Sequence, residues 1–284
     1  MYVLNVIRKI FVNNVINLKH IMEKEEKLND SESAKMERRQ FLRLGLYSAA
    51  GVLCGSFFAF GKGDKDIVVD NYEDLLKYDW GFIVDTTRCI GCGACVRACK
   101  VENNVPESYF RTWVERYEID SKGEIRVDSP KGAIESFQSD NFDSNDIVKA
   151  FFVPKLCNHC YDSACTQVCP VGASYESPDG VVLIDKERCV GCGYCVQACP
   201  YGCRYIDEEK GIADKCTLCY HRIHKGEAPA CVNACPRNAR IFGNLKDPNS
   251  KIRKILNQRR YGLLKAELGT NPKCYYIGLD KEVK

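Results

Sequence analysis

Cys189-Val190-Gly191-Cys192-Gly193-Tyr194-Cys195-Val196-Gln197-Ala198-Cys199-Pro200 decides the reading of this chain. Three cysteines separated by two residues each put three thiols on one tight loop. Gly191 and Gly193 free that loop to turn sharply and aim its amides inward. The fourth thiol, three residues further on, starts or sits on a helix that leads away, so it reaches a neighbouring centre. Pro200 fixes the direction in which the chain departs. Outward from this run the pattern recurs three times. Cys89, Cys92, Cys95 and Cys99 repeat the spacing, with Gly91 and Gly93 on the loop and Lys100 where a proline would stand. Cys157, Cys160, Cys165 and Cys169 widen one gap and keep the proline, Pro170. Cys216, Cys219, Cys231 and Cys235 place eleven residues before Cys231 and end on Pro236.

Nineteen cysteines in 284 residues suit a disulfide scaffold, structural zinc or iron–sulfur clusters. Disulfide scaffolds are small domains without a sufficient core, and this chain is long enough to build one. The pairs Cys157/Cys160 and Cys216/Cys219 alone would suit zinc. The three-cysteine runs would not, because tetrahedral zinc needs two pairs and has no use for a fourth cysteine followed by proline. Four complete sets of four therefore predict four 4Fe-4S clusters, with Cys54, Cys203 and Cys274 left over as small apolar side chains.

The run at Cys189 reproduces the bacterial ferredoxin pattern without a change. Nineteen residues connect Cys169 to Cys189. They read as a turn at Ser177-Pro178-Asp179-Gly180 followed by a strand at Val181–Asp185, so motifs two and three form one continuous unit. Motifs one and four then pair with each other, flanked by short strands at Phe82–Asp85 and Ala239–Phe242. The exchange of fourth ligands groups Cys89, Cys92, Cys95 with Cys235, and Cys216, Cys219, Cys231 with Cys99. It groups Cys157, Cys160, Cys165 with Cys199, and Cys189, Cys192, Cys195 with Cys169. The fold class is α+β: two intertwined dicluster ferredoxin domains, loop-rich, with short β-hairpins and short helices. The outer unit spans 81–110 plus 209–245 and the inner unit 153–208. An insertion loop occupies 111–152, a linker 62–80 and a C-terminal tail 246–284.

The net charge of +3 lies wholly in residues 1–61, which hold nine Lys/Arg and six Asp/Glu. The remaining residues balance at 32 of each, and a neutral body gives no footprint for nucleic acid. Arg38-Arg39-Gln40-Phe41-Leu42-Arg43 precedes a weakly apolar run, Leu44–Phe60, that is shorter than the about 20 residues of a spanning helix. Residues 1–61 resemble a twin-arginine export signal with a long lead-in. That route carries proteins already folded, as clusters inserted in a reducing cytoplasm require. The expected location is the periplasm, peripheral to the membrane.

With the motifs in this order, residues 81–245 resemble the iron–sulfur subunits of the complex iron–sulfur molybdoenzymes, the dimethyl sulfoxide, polysulfide and tetrathionate reductase type. Matching phrases beyond the ligands are Cys157-Asn158-His159-Cys160, Cys169-Pro170-Val171-Gly172-Ala173, Cys199-Pro200-Tyr201-Gly202, and Leu268-Gly269-Thr270 with Pro272 and Tyr275-Tyr276. The resemblance implies a hetero-oligomer. This subunit would relay electrons between a molybdopterin catalytic subunit and a multi-span membrane subunit that handles quinone. A periplasmic hydrogenase uses similar subunits and is the alternative; a cluster-based redox sensor is a remoter one. No phosphate loop, catalytic Ser/His/Asp set or substrate pocket signature is present, so the chain reads as a non-catalytic conduit.

Several residues carry two readings. His159 either packs within motif two or tunes a cluster by hydrogen bonding or charge. His221 and His224 sit on an exposed helix turn or touch a metal or quinone. The polar segment Ser121–Asp146 is a solvated excursion or a docking surface. In the tail, Ile252, Ile255, Leu256, Leu263 and Leu264 suggest an amphipathic helix that wraps its own body or a partner.

Overall fold

The run Trp80-Gly81-Phe82-Ile83-Val84-Asp85 is apolar without alternation, as a strand covered on both faces must be. In the computed structural model, which describes residues 72–137 and 146–283, this run is strand β1 (Trp80–Asp85), and all six residues are buried. These residues belong to one compact unit, Lys62–Lys284. The export signal expected over 1–61, with Arg38, Arg39 and Cys54, lies outside the described residues.

β1 is the centre of a three-stranded sheet. β9 (Arg240–Asn244) runs antiparallel to it, with Val84 opposite Arg240. β10 (Cys274–Ile277) runs parallel on the other edge, with Phe82 opposite Cys274. The strand before motif one therefore pairs directly with the strand after motif four. The tail folds back on its own body: α7 (Lys251–Gln258), capped by the Ser250 side chain accepting from Arg253 N, presses Ile252 onto Ile83, Ile241, Leu245 and Ile277.

The described residues of 111–152, expected as an insertion loop, contribute three paired strands. β2 (Thr112–Asp120) pairs antiparallel with β4 (Ile147–Leu156) on one edge and β3 (Ile125–Asp128) on the other. Val114, Val153 and Leu156 face the core, and Tyr117 stacks on Phe151 with 5.2 Å between ring centroids. Polar composition hid these strands because Arg116 pairs with Asp128 at 2.8 Å and Glu118 at 3.1 Å, so charged residues occupy buried sheet positions.

Two hairpins complete the strands. β5 (Ser174–Glu176) pairs with β6 (Val182–Ile184) around the turn predicted at Ser177–Gly180, and β7 (Arg204–Asp207) pairs with β8 (Ile212–Lys215). The second hairpin turns where the boundary between the inner and outer units was drawn. Helices are short: α1 (Tyr72–Leu75), α2 (Ala94–Asn103), α3 (Ala164–Gln167), α4 (Tyr194–Gln197), α5 (Tyr220–Ile223) and α6 (Ala230–Asn233). All but α1 and α5 carry cysteines of the motifs. The content is α+β, and its main core is built on sulfur: Cys95, Cys157, Cys203, Cys216, Cys231 and Cys274 are buried among Trp80, Phe82, Val84 and Tyr276. Among the described residues no helix is long and apolar enough to cross a membrane.

Candidate metal centres

Each cysteine loop turns through a left-handed residue at its third position. Gly91 (φ 69°) and Gly191 (φ 67°) fill that position in motifs one and three. His159 (φ 43°) and Leu218 (φ 54°) take the same conformation in motifs two and four despite their Cβ atoms. Amides from the loop of motif four and from segments that follow the motifs donate to sulfur. Ser174 N donates to Cys169 Sγ and Ala213 N to Cys189 Sγ, each at 3.4 Å. Leu218 N donates to Cys216 Sγ at 3.4 Å and Ala239 N to Cys235 Sγ at 3.2 Å. At Cys169 burial pushes the thiol up, but the amides of Ser174, Val171, Ala173 and Gly172 outweigh it and hold it below the usual thiol range.

The cysteines gather in four sets. Cys89, Cys92, Cys95 and Cys235 line one hollow, together with Ile90 and Arg240. Cys169, Cys189, Cys192 and Cys195 line another, together with Val190 and Arg204. Burial pushes the Cys160 thiol up to about 12, with Cys157, Cys165 and Cys199 as its charged neighbours. Burial also raises Cys99, whose neighbours are Cys216, Cys231 and Cys219. In both hollows the fourth thiol comes from a different motif. The sets also adjoin one another: Cys157 is the foremost charged neighbour of Cys216, whose thiol burial pushes up to about 12.

These hollows fit a cubane better than a point ion. Among the described residues no three His, Cys, Asp or Glu side chains close tightly enough to hold a single metal ion. The donors are soft sulfurs ringing a space, which suits an iron–sulfur cluster. Buried donors face the same spaces. Arg240 Nη1 and both Nε and Nη1 of Arg204 find no hydrogen-bond acceptor within the protein, although these side chains line the two hollows. Cluster sulfides would supply acceptors. Sequence reading missed both arginines. Their signal was available: each stands five residues after the cysteine of a Cys-Pro pair, Cys199 or Cys235.

His159 is buried, and its Nδ1 accepts from Val182 N at 3.1 Å, so the neutral ring carries its proton on Nε2. Burial, then the charges of Lys215, Lys273 and Arg204, hold it well below the usual imidazole range. Its Nε2 is buried with no hydrogen-bond partner in the protein. His221 meets Glu102 at 2.7 Å and His224 meets Asp179 at 3.0 Å, so both tie α5 to carboxylates elsewhere in the fold. Cys203 and Cys274 are buried, Cys203 lies against Cys199 of the third set, and Cys203 Sγ donates to Leu156 O at 3.1 Å.

Comparison with known proteins agrees with this chemistry. Two models of the 4Fe-4S dicluster domain match, one over residues 88–173 and one over residues 148–245. A tetrathionate reductase subunit of Salmonella typhimurium is 39% identical over 246 residues, covering 86% of this chain and 88% of that protein. Protein NrfC of Escherichia coli K12 is 38% identical over 242 residues, 84% of this chain and 94% of its own length. A sulfite dehydrogenase subunit of Allochromatium vinosum is 37% identical over 206 residues, 69% of this chain and 81% of that one. On its motifs, its dicluster domains and these relatives, the chain belongs to the iron–sulfur electron-transfer subunits of the complex iron–sulfur molybdoenzyme family.

Proposed function

We propose that this chain relays electrons through four 4Fe-4S clusters, between a quinone-interacting membrane subunit and a periplasmic catalytic subunit that carries molybdopterin. Bound clusters supply one-electron carriers that change oxidation state with little rearrangement. The protein's part is to hold them in a row, keep water from the inner ones and present the outer ones to partners.

The observation that carries this reading is the order of the sulfur sets. Arg240 lines the hollow of the Cys89 set and has Cys95 and Cys231 as its foremost charged neighbours, so it joins that set to the one containing Cys231. Cys216 of that second set adjoins Cys157 of the third. Arg204 bonds Cys165 of the third and lines the hollow of the Cys189 set. Cys157, Cys216, Cys219 and Cys231 in the middle are buried, whereas Cys92 and Cys192 at the two ends are exposed. Beside them Ile90 is 52% exposed and Val190 63%, so each end offers an apolar contact for a docking subunit. A row with a buried middle and two open ends is the form a two-sided relay needs. The direct pairing of β1 with β9 supports the nesting of motifs one and four around motifs two and three. Arg38-Arg39 supports export by the twin-arginine route.

The test is composition together with redox titration. Anaerobically purified chain is expected to hold about sixteen irons with a similar number of acid-labile sulfides, and to show four reducible centres by paramagnetic resonance. Stoichiometric zinc with little iron would end the reading.

A further inference from the structure

Two buried arginines supply no sulfur of their own to the sets, yet each stands where two sets meet. Arg204 opens β7 and is 4% exposed. Its Nη2 donates to Cys165 Sγ at 2.9 Å and to Ser174 Oγ at 2.8 Å, and its side chain lines the hollow of Cys169, Cys189, Cys192 and Cys195. Arg240 opens β9 and is 2% exposed. Its Nη2 donates to Thr112 Oγ1 at 2.8 Å, its side chain lines the hollow of Cys89, Cys92, Cys95 and Cys235, and its strand packs on α6, which carries Cys231.

The arrangement is repeated in the two halves. Each arginine follows the cysteine of a Cys-Pro pair by five residues, and each is steadied by a hydroxyl on a strand that follows the partner motif, Ser174 or Thr112. Cysteine sulfurs stand near both: Cys165 and Cys157 near Arg204, Cys95 and Cys231 near Arg240. Burying a guanidinium without an anion is costly, and its unmet N–H donors add to the cost. An anionic cluster on either side offsets both costs.

We infer that Arg204 and Arg240 are charge-compensating bridges, one between the clusters of each pair, and that each raises the reduction potential of both clusters beside it. A cubane held by four thiolates is an anion, and an arriving electron adds negative charge with no bond made or broken. In a buried setting a fixed cation between two such bodies favours the reduced form of both. N–H donation to cluster sulfur acts in the same direction. The pairs are the Cys157/Cys160/Cys165/Cys199 and Cys189/Cys192/Cys195/Cys169 clusters for Arg204, and the other two for Arg240. This inference rests on the four-cluster reading above.

The experiment is a redox titration of the anaerobically purified, cluster-loaded full chain, followed by paramagnetic resonance, in Arg204→Gln, Arg240→Gln and the corresponding Lys variants. Arg204→Gln is expected to lower the two midpoints of its own pair and leave the other two in place, and Arg240→Gln the reverse. Lysine keeps the charge and is expected to recover most of the shift. Sixteen irons with unmoved midpoints in the Gln variants would overturn the bridge role alone, as would an equal shift of all four centres. A parent chain without sixteen irons would instead overturn the four-cluster reading. Should a Gln variant lose the irons of its pair, recovery of iron and midpoints by Lys supports the bridge, and failure of Lys as well refutes it.

Discussion

Asn103 Nδ2 stands 3.6 Å from Cys99 Sγ and 3.6 Å from Cys219 Sγ, so one amide joins the last cysteine of motif one to the second cysteine of motif four. Arg111 Nη1 steadies that amide by donating to Asn103 Oδ1 at 3.0 Å. Cysteines from opposite ends of the motif series thus share a donor, because α2 carries Cys99 away from its own loop and packs on α6.

The first prediction follows from that geometry. Cys99→Ser should perturb the centre of Cys216, Cys219 and Cys231 while sparing the one at Cys89, and Cys95→Ser should do the opposite. In the inner unit Cys199→Ser should disturb the motif-two centre and Cys195→Ser the motif-three centre. Paramagnetic resonance of the reduced variants distinguishes these patterns. Damage to one and the same centre by both members of a pair would mean uncrossed ligation.

Two glycines on one loop should respond differently to the same change. Gly191 has φ 67°, and an added Cβ would meet Gly211 O at 2.2 Å. Gly193 has φ 77° but open space around it. Gly193→Ala should cost about 1–2 kcal/mol of backbone strain and keep its cluster. Gly191→Ala adds a backbone collision that no side chain can relieve, and should release iron from the Cys189 set. Iron retention and apparent Tm, measured side by side, check this; equal behaviour of the two variants would count against it.

Buried Arg111 pairs with Asp214, which is half-buried. Arg111 Nη2 meets Asp214 Oδ1 at 2.8 Å, Arg111 Nε meets Oδ2 at 3.0 Å, and Tyr205 OH donates to the same carboxylate at 2.6 Å. Asp214→Ala should destabilise the loaded chain by roughly 3–5 kcal/mol, since it leaves a buried guanidinium unpaired. Removing both charges with Arg111→Met and Asp214→Leu should recover much of that loss. A double variant as unstable as the single one would show that packing, not the stranded charge, sets the cost.

The export assignment has its own test. Replacing Arg38 and Arg39 with Lys keeps the charge but removes the planar guanidinium forks that a receptor can read by paired hydrogen bonds. The double variant is expected to stay in the cytoplasm with its clusters assembled, because Cys89–Cys235 is untouched. Fractionation with an iron assay decides, and undiminished periplasmic delivery would refute the twin-arginine reading.

Much of the fold was legible because cysteine spacing and turn chemistry are local. The turn at Ser177–Gly180 gave the β5–β6 hairpin, and the apolar runs at Phe82 and Ile241 gave the two strands that pair as β1 and β9. The sheet of β2, β3 and β4 was hidden because Arg116, Glu118 and Asp120 are buried along β2, where reading by hydropathy assigns them to solvent. β10 was hidden for a different reason: Cys274-Tyr275-Tyr276-Ile277 names no partner, and its pairing with β1 is a long-range event. Arg204 and Arg240 escaped because a buried charge is stable only beside an opposite one, and the anion beside them is built from residues scattered over the whole chain.

Of the described strands β1 is made first and finished last. Both of its neighbours, Arg240–Asn244 and Cys274–Ile277, leave the ribosome after all four cysteine motifs. Until then an apolar strand waits with two unpaired edges, a template for pairing with the wrong chain. A product cut short anywhere before Cys274 keeps one of those edges bare however many of its cysteines are filled. The pairing of Cys274–Ile277 thus closes an edge of β1 that the four cysteine motifs by themselves leave open.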